Sequence, residues 1–106
     1  MFIINGKNFL MQYKKLGNSD IKVSRLCLGT MTYGEQNSNI ESFELMNYAY
    51  EKGINFIDTA EIYPIYPKKE TSGRSEEIIG DWIKEKKNRQ KIIIASKIAS
   101  GHSKGV

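Results

Sequence analysis

From residue 26 onward, short apolar runs alternate with stretches in which apolar residues recur at helical spacing, the pattern of βαβ units and a parallel sheet. Leu26-Cys27-Leu28 reads as a first parallel strand, ended by Gly29. Ser38-Asn39-Ile40-Glu41 has the form of a capping box, and Phe43, Met46, Ala49 and Tyr50 predict a first helix that Gly53 closes. Ile54-Asn55-Phe56-Ile57 is a second β-rich run, terminated by Asp58 and followed by a long polar loop carrying Pro64 and Pro67. Ser75 is placed to cap a second helix, with Glu76 and Glu77 in its first turn and Ile78, Ile79, Trp82 and Ile83 on one face. That stripe assigns Trp82 to the core rather than to a ligand. Ile92-Ile93-Ile94-Ala95-Ser96 is nearly all apolar, as expected for a parallel strand covered on both faces, and Lys97 stands at its end.

Residues 11–25 follow a different pattern. Tyr13, Leu16, Ile21 and Val23 around Gly17-Asn18-Ser19-Asp20 predict a small β-hairpin ahead of the first parallel strand. Residues 1–10 have no clear partner and read as an N-terminal extension, with 11–106 as the domain. Right-handed crossovers, the hand of about 98% of such connections, place both helices on the same side of sequentially ordered strands, as in a barrel wall. A doubly wound nucleotide-binding sheet fits less well, because the loop after the first strand holds only Gly29 and Gly34 and no Gly-x-Gly-x-x-Gly.

Composition narrows the class. With 40% hydrophobic and 26% charged residues in 106, the chain is of the soluble globular kind. One cysteine, Cys27, excludes an intrachain disulfide framework and points to a reducing, cytoplasmic compartment. No run approaches the roughly 20 apolar residues of a membrane span, and the opening residues lack the features of a signal peptide. The net charge of +4 sits in residues 84–91, with five basic side chains and one acidic. At the C-terminal end of a helix such a cluster suits the macrodipole, and without interleaved aromatics it does not read as a nucleic-acid surface.

Three ionisable residues lie at or just beyond strand ends: Asp58, Tyr63 and Lys97. In a parallel β/α barrel that edge is where catalytic groups are mounted. Singly, each has a plainer role: a turn cap, partly buried packing, a solvated lysine. Together they make chemical sense. A phenol ordinarily ionises near pH 10 and is a poor proton donor at neutrality unless a cation stabilises its phenolate; a lysine would do so, and an aspartate would hold that ammonium in place. Such a set suits protonation of a carbonyl oxygen as hydride reaches the carbonyl carbon.

The segments Leu28-Gly29-Thr30-Met31-Thr32-Tyr33-Gly34, Gly53-Ile54-Asn55-Phe56-Ile57-Asp58-Thr59-Ala60-Glu61-Ile62-Tyr63, Ser75-Glu76 with Ile79-Gly80, and Ile92-Ile93-Ile94-Ala95-Ser96-Lys97 resemble the aldo-keto reductase family over about residues 11–98. Gly34-Glu35-Gln36-Asn37 and the long loop through Tyr63-Pro64 and Glu70-Thr71-Ser72-Gly73 look like the Tas-like branch of it. The resemblance implies a (β/α)8 TIM barrel, NADP(H) as cofactor, reduction of aldehydes or ketones to alcohols, and a tetrad of Asp, Tyr, Lys and His. It makes Tyr63 the general acid, Lys97 the cation that stabilises the phenolate, and Asp58 the holder of Lys97. It also sets Gly29, Thr30 and Met31 beside the nicotinamide. The residues alone explain those three equally well as a tight strand-to-helix turn. The partner implied is a small carbonyl compound, with no metal, nucleic acid or membrane. His102 follows Lys97 too closely for a helix and strand to intervene, so it reads as an ordinary loop residue rather than the fourth tetrad member.

A barrel of this kind takes about 250 residues. The sequence is therefore expected to be the N-terminal part of such an enzyme, incomplete and inactive alone. The alternative is a non-catalytic interaction module that pairs its bare sheet edges with another protein.

Overall fold

The structure, a computed structural model, describes residues 2–4 and 7–98, with side chains from residue 10 onward. His102 lies outside the described residues. The order is β1 (Phe2–Ile4), β2 (Lys7–Phe9), β3 (Tyr13–Lys15), β4 (Lys22–Ser24), β5 (Leu28–Gly29), α1 (Asn39–Glu51), β6 (Phe56–Asp58), α2 (Arg74–Lys86), a 3-10 turn (Arg89–Lys91) and β7 (Ile93–Ala95). The first ten residues do contain paired backbone: β1 and β2 form an antiparallel pair with each other.

β5, β6 and β7 make a parallel sheet in sequential order. Leu28 pairs with Ile57 and Ile57 with Ile94, while Gly29, Asp58 and Ala95 share the next rung. Because successive side chains in a strand point to opposite faces, these two rungs face opposite ways. The Leu28-Ile57-Ile94 face packs on a core of Tyr33, Met46, Ile57, Ile78, Ile79, Trp82 and Ile92, to which both helices contribute. α1 and α2 thus lie on one side of the sheet, as the crossover rule requires. The opposite face carries Gly29, Asp58, Ala95, Phe56 and Ile93, and β7 is only half-buried along its length rather than covered on both faces.

α1 begins as its sequence indicates. Ser38 Oγ accepts the Glu41 amide at 3.1 Å and the Glu41 carboxylate accepts the Ser38 amide at 2.9 Å, closing the capping box. α2 begins differently. Its N-cap is Gly73, in the left-handed region at φ 94°, with no side-chain cap, and Ser75 is already inside the first turn. Glu76 and Glu77 sit at its N-terminus and Lys84 and Lys86 in its last turn, each set favoured by the helix dipole by roughly 0.3–1 kcal/mol per charge. The basic run expected after this helix is therefore a helix end and its turn.

The first parallel strand is shorter and later than Leu26-Cys27-Leu28 suggests. Leu26 is exposed, and its carbonyl accepts the Ser24 hydroxyl at 2.6 Å, so the chain bends there before pairing starts at Leu28. The second strand reaches one residue further than expected and includes Asp58.

The hairpin β3–β4 forms around Gly17 (φ 60°) and is fastened to the N-terminal end of β6. Asn55 Oδ1 accepts the Ser24 amide at 2.7 Å, Asn55 Nδ2 donates to Lys22 O at 3.1 Å, and the Tyr13 hydroxyl donates to Gly53 O at 2.6 Å. Among the described residues no helix is long and apolar enough to cross a membrane.

Candidate active site

The three residues singled out at the strand ends converge. Backbone pairing continues past β6 and β7, with the Thr59 amide donating to Ala95 O at 2.8 Å and the Glu61 amide to Lys97 O at 3.1 Å. That register sets Lys97 against the end of β6. Its ammonium donates to both Asp58 carboxylate oxygens, at 2.9 and 2.8 Å, and to Thr59 O at 2.8 Å. It also lies 5.0 Å from the centroid of the Tyr63 ring. Asp58 shares the helix-free face of the sheet with Gly29, so the cluster opens away from the core.

The Asp58 hydrogen bonds are the main cause that holds Lys97 above the usual lysine value; partial desolvation pulls the other way and the neighbouring Tyr63 side chain adds to the rise. A group raised on folding contributes stability that is complete below the unfolded value, about 10.4 for lysine, and is lost as pH climbs through the higher folded value. The Lys97 side-chain resonances, followed by NMR through the alkaline range, are therefore expected to titrate above free lysine. Asp58→Asn should bring the midpoint back down; a parent midpoint at or below free lysine contradicts the pairing.

Tyr63 is held by its backbone. Its amide donates to Ala60 O at 3.1 Å, and its carbonyl accepts the Gly73 and Ser75 amides at 3.0 and 3.3 Å, where α2 starts. The following Pro64 is buried, and the Ile65 amide donates to Met31 O at 2.8 Å, which joins the loop after β6 to the loop after β5. Gln36 Nε2 to Ile65 O at 3.2 Å and a Lys68–Glu35 ion pair lace the same two loops farther out. Gly34 permits this close approach: it has φ 104°, and a Cβ there would stand 2.8 Å from the Arg74 Cβ.

Gly29, Thr30 and Met31 divide their roles. Gly29 is strand, not turn; its backbone is outside the left-handed region and a Cβ would meet nothing within 4 Å. Nothing within the described residues demands glycine there. Thr30 is fully buried, with its hydroxyl donating to Asp58 O at 2.8 Å. Met31 is exposed on the rim. The turn itself falls at Thr30–Tyr33, closed by the Tyr33 amide on Thr30 O at 3.0 Å.

Cys27 lies near the same cluster. Partial desolvation and then the Asp58 carboxylate raise the thiol of the exposed Cys27 above its usual value, against the pull of Lys97.

Sequence reasoning missed the polar ties of α2. The Ser75 hydroxyl does not cap the helix; it donates to Tyr33 O at 2.7 Å and Thr30 O at 3.0 Å. The neighbouring Glu76 carboxylate accepts the Ser96 hydroxyl, one residue before Lys97. A signal was present in Gly73, two residues before Ser75, which supplies the left-handed helix entry.

Comparison with known proteins places the chain in a family. The model of the Aldo/keto reductase family matches residues 25–106. Protein tas of Escherichia coli is 48% identical over 89 residues, covering 84% of this chain and 26% of that protein. Norsolorinic acid reductase B of Dothistroma septosporum is 37% identical over 100 residues, covering 87% of this chain and 24% of the relative. Among solved structures, an aldo-keto reductase from Bacillus halodurans in its holo form superposes with a TM-score of 0.67 at 34% identity, over 81% of this chain and 25% of that one. The chain thus spans about a quarter of the length of the curated relatives it matches, and its three parallel strands with two helices on one side correspond to the N-terminal part of a (β/α)8 barrel. With a family match across most of its length, the chain belongs to the aldo/keto reductase family of oxidoreductases.

Proposed function

We propose that these residues serve an NADP(H)-dependent reduction of small aldehydes or ketones to alcohols, carried out by the protein in its full length. The observation that carries the reading is the Lys97 ammonium, held on Asp58 by two hydrogen bonds and set 5.0 Å from the Tyr63 ring centroid. The cofactor, when bound, supplies hydride to the carbonyl carbon.

Tyr63 donates its hydroxyl proton to the carbonyl oxygen in the same step, so the products are an alcohol, oxidised cofactor and a phenolate that takes its proton back from solvent. Lys97 stabilises that phenolate through its positive charge, and Asp58 keeps the ammonium in place and charged. Gly29 and Met31 would hold the nicotinamide end of the cofactor, and Thr30 fixes the Asp58 carbonyl through its hydroxyl. What supports the cofactor is the unexplained glycine beside the carboxylate together with the holo-form relative.

The reading is tested by following NADPH absorbance with a panel of small aldehydes and ketones. Carbonyl-dependent NADPH consumption with alcohol formed in equal amount is the expected result, and its absence across the panel rejects the reading.

A further inference from the structure

We propose that the first turn of α2 sets the spacing of the reacting groups, with Ser75 and Glu76 as positioning residues; the proposal rests on the reductase reading above. Each of the three loops that leave the sheet at its C-terminal edge is tied to this one turn. The loop after β5 is held by the Ser75 hydroxyl on Thr30 O and Tyr33 O. The loop after β6 is held by the Gly73 and Ser75 amides on Tyr63 O. The segment after β7 is held by the Ser96 hydroxyl on the Glu76 carboxylate.

Ser75 has no exposed surface and its side chain is too small to fill the core, so its chemistry lies in the hydroxyl. One O–H serves two carbonyls, and the amide of the same residue serves a third on another loop. Through Thr30, whose hydroxyl donates to Asp58 O, the path from Ser75 reaches Asp58 in two bonds; it reaches Tyr63 in one. Glu76 reaches the residue before Lys97. A helix, the stiffest local element available, thereby fixes the Asp58, Tyr63 and Lys97 positions relative to one another and to the Met31 rim. Placement errors near 1 Å can cost a reaction about a hundredfold, so partial release of one anchor is read as roughly tenfold.

Ser75→Ala and Glu76→Ala in the full-length protein provide the test, the second at an exposed position where folding is not at stake. Each is expected to lower kcat about tenfold while leaving KM for the carbonyl compound and NADPH affinity within about twofold, since both side chains are engaged by the protein's own loops. Folded variants with kcat within about twofold of the parent overturn the proposal, and if Ser75→Ala does not fold, Glu76→Ala decides alone. Amide hydrogen exchange separates this from failure of the reductase reading. In Ser75→Ala the Tyr33 amide, which donates to Thr30 O, and in Glu76→Ala the Glu61 amide, which donates to Lys97 O, should exchange faster while the Ile93 amide is unchanged. Unchanged loop amides overturn the anchoring whether or not the parent reduces carbonyls.

Discussion

Tyr63→Phe is expected to lower kcat for carbonyl reduction by about 10²- to 10⁴-fold, the range that general acid catalysis ordinarily contributes. The change is narrow in its effect on structure. The hydrogen bonds that hold Tyr63 in its loop run through backbone: its amide on Ala60 O, and its carbonyl under the Gly73 and Ser75 amides. The ring and its contact with the Lys97 ammonium are kept, because cation–π attraction does not need the hydroxyl. Asp58 still holds Lys97. What disappears is the proton donor. Cofactor affinity, read by fluorescence titration, should therefore stay close to that of the parent while turnover collapses. Retained turnover would remove Tyr63 from the role of acid; a large loss of cofactor affinity would make its hydroxyl a binding group instead.

The strand-end residues were legible in the sequence because parallel sheets impose a simple rule. Apolar runs end where the chain leaves the sheet, so a charged residue just past such a run sits on the C-terminal edge, and Asp58 and Lys97 both announce themselves that way. Helix α1 was legible for a similar reason, since the Ser38–Glu41 reciprocal cap is local and depends on nothing distant. The misreadings concern residues whose partners are far away in sequence. Ser75 looks like a cap by type and position, yet carbonyls more than 40 residues earlier claim its hydroxyl. Leu26 and Cys27 have strand composition, but the chain bends at Leu26, whose carbonyl takes the Ser24 hydroxyl, and pairing with β6 begins only at Leu28 opposite Ile57. Asn55 reads as a polar interruption of a β-run, and its side chain instead fastens the hairpin of residues 13–24.

Trp82→Ala is expected to destabilise the fold by about 3–5 kcal/mol, the usual cost of emptying a large aromatic site in a core. Trp82 has no exposed surface and belongs to the cluster that joins α1, α2 and the sheet. Its ring meets Tyr50 of α1 edge-on, with centroids 5.7 Å apart and planes at 83°. Its indole N–H donates to Asn47 Oδ1, also on α1, at 2.8 Å. Alanine removes the volume, the aromatic pair and the hydrogen bond at once. Domains have about 5–15 kcal/mol in total, so a loss of this size moves the urea midpoint far down or unfolds the protein outright. Trp82→Phe separates the contributions: it keeps most of the buried ring but leaves Asn47 without its donor, and should cost less than the alanine variant. If the two variants unfold at the same urea concentration, the hydrogen bond rather than the ring volume joins the helices. If neither differs from the parent, the α1–α2 contact is not what supports the sheet. The helix that carries Ser75 and Glu76 is braced by this same ring. Activity of Trp82→Phe should therefore fall in step with its folded fraction, while turnover per folded molecule stays near that of the parent.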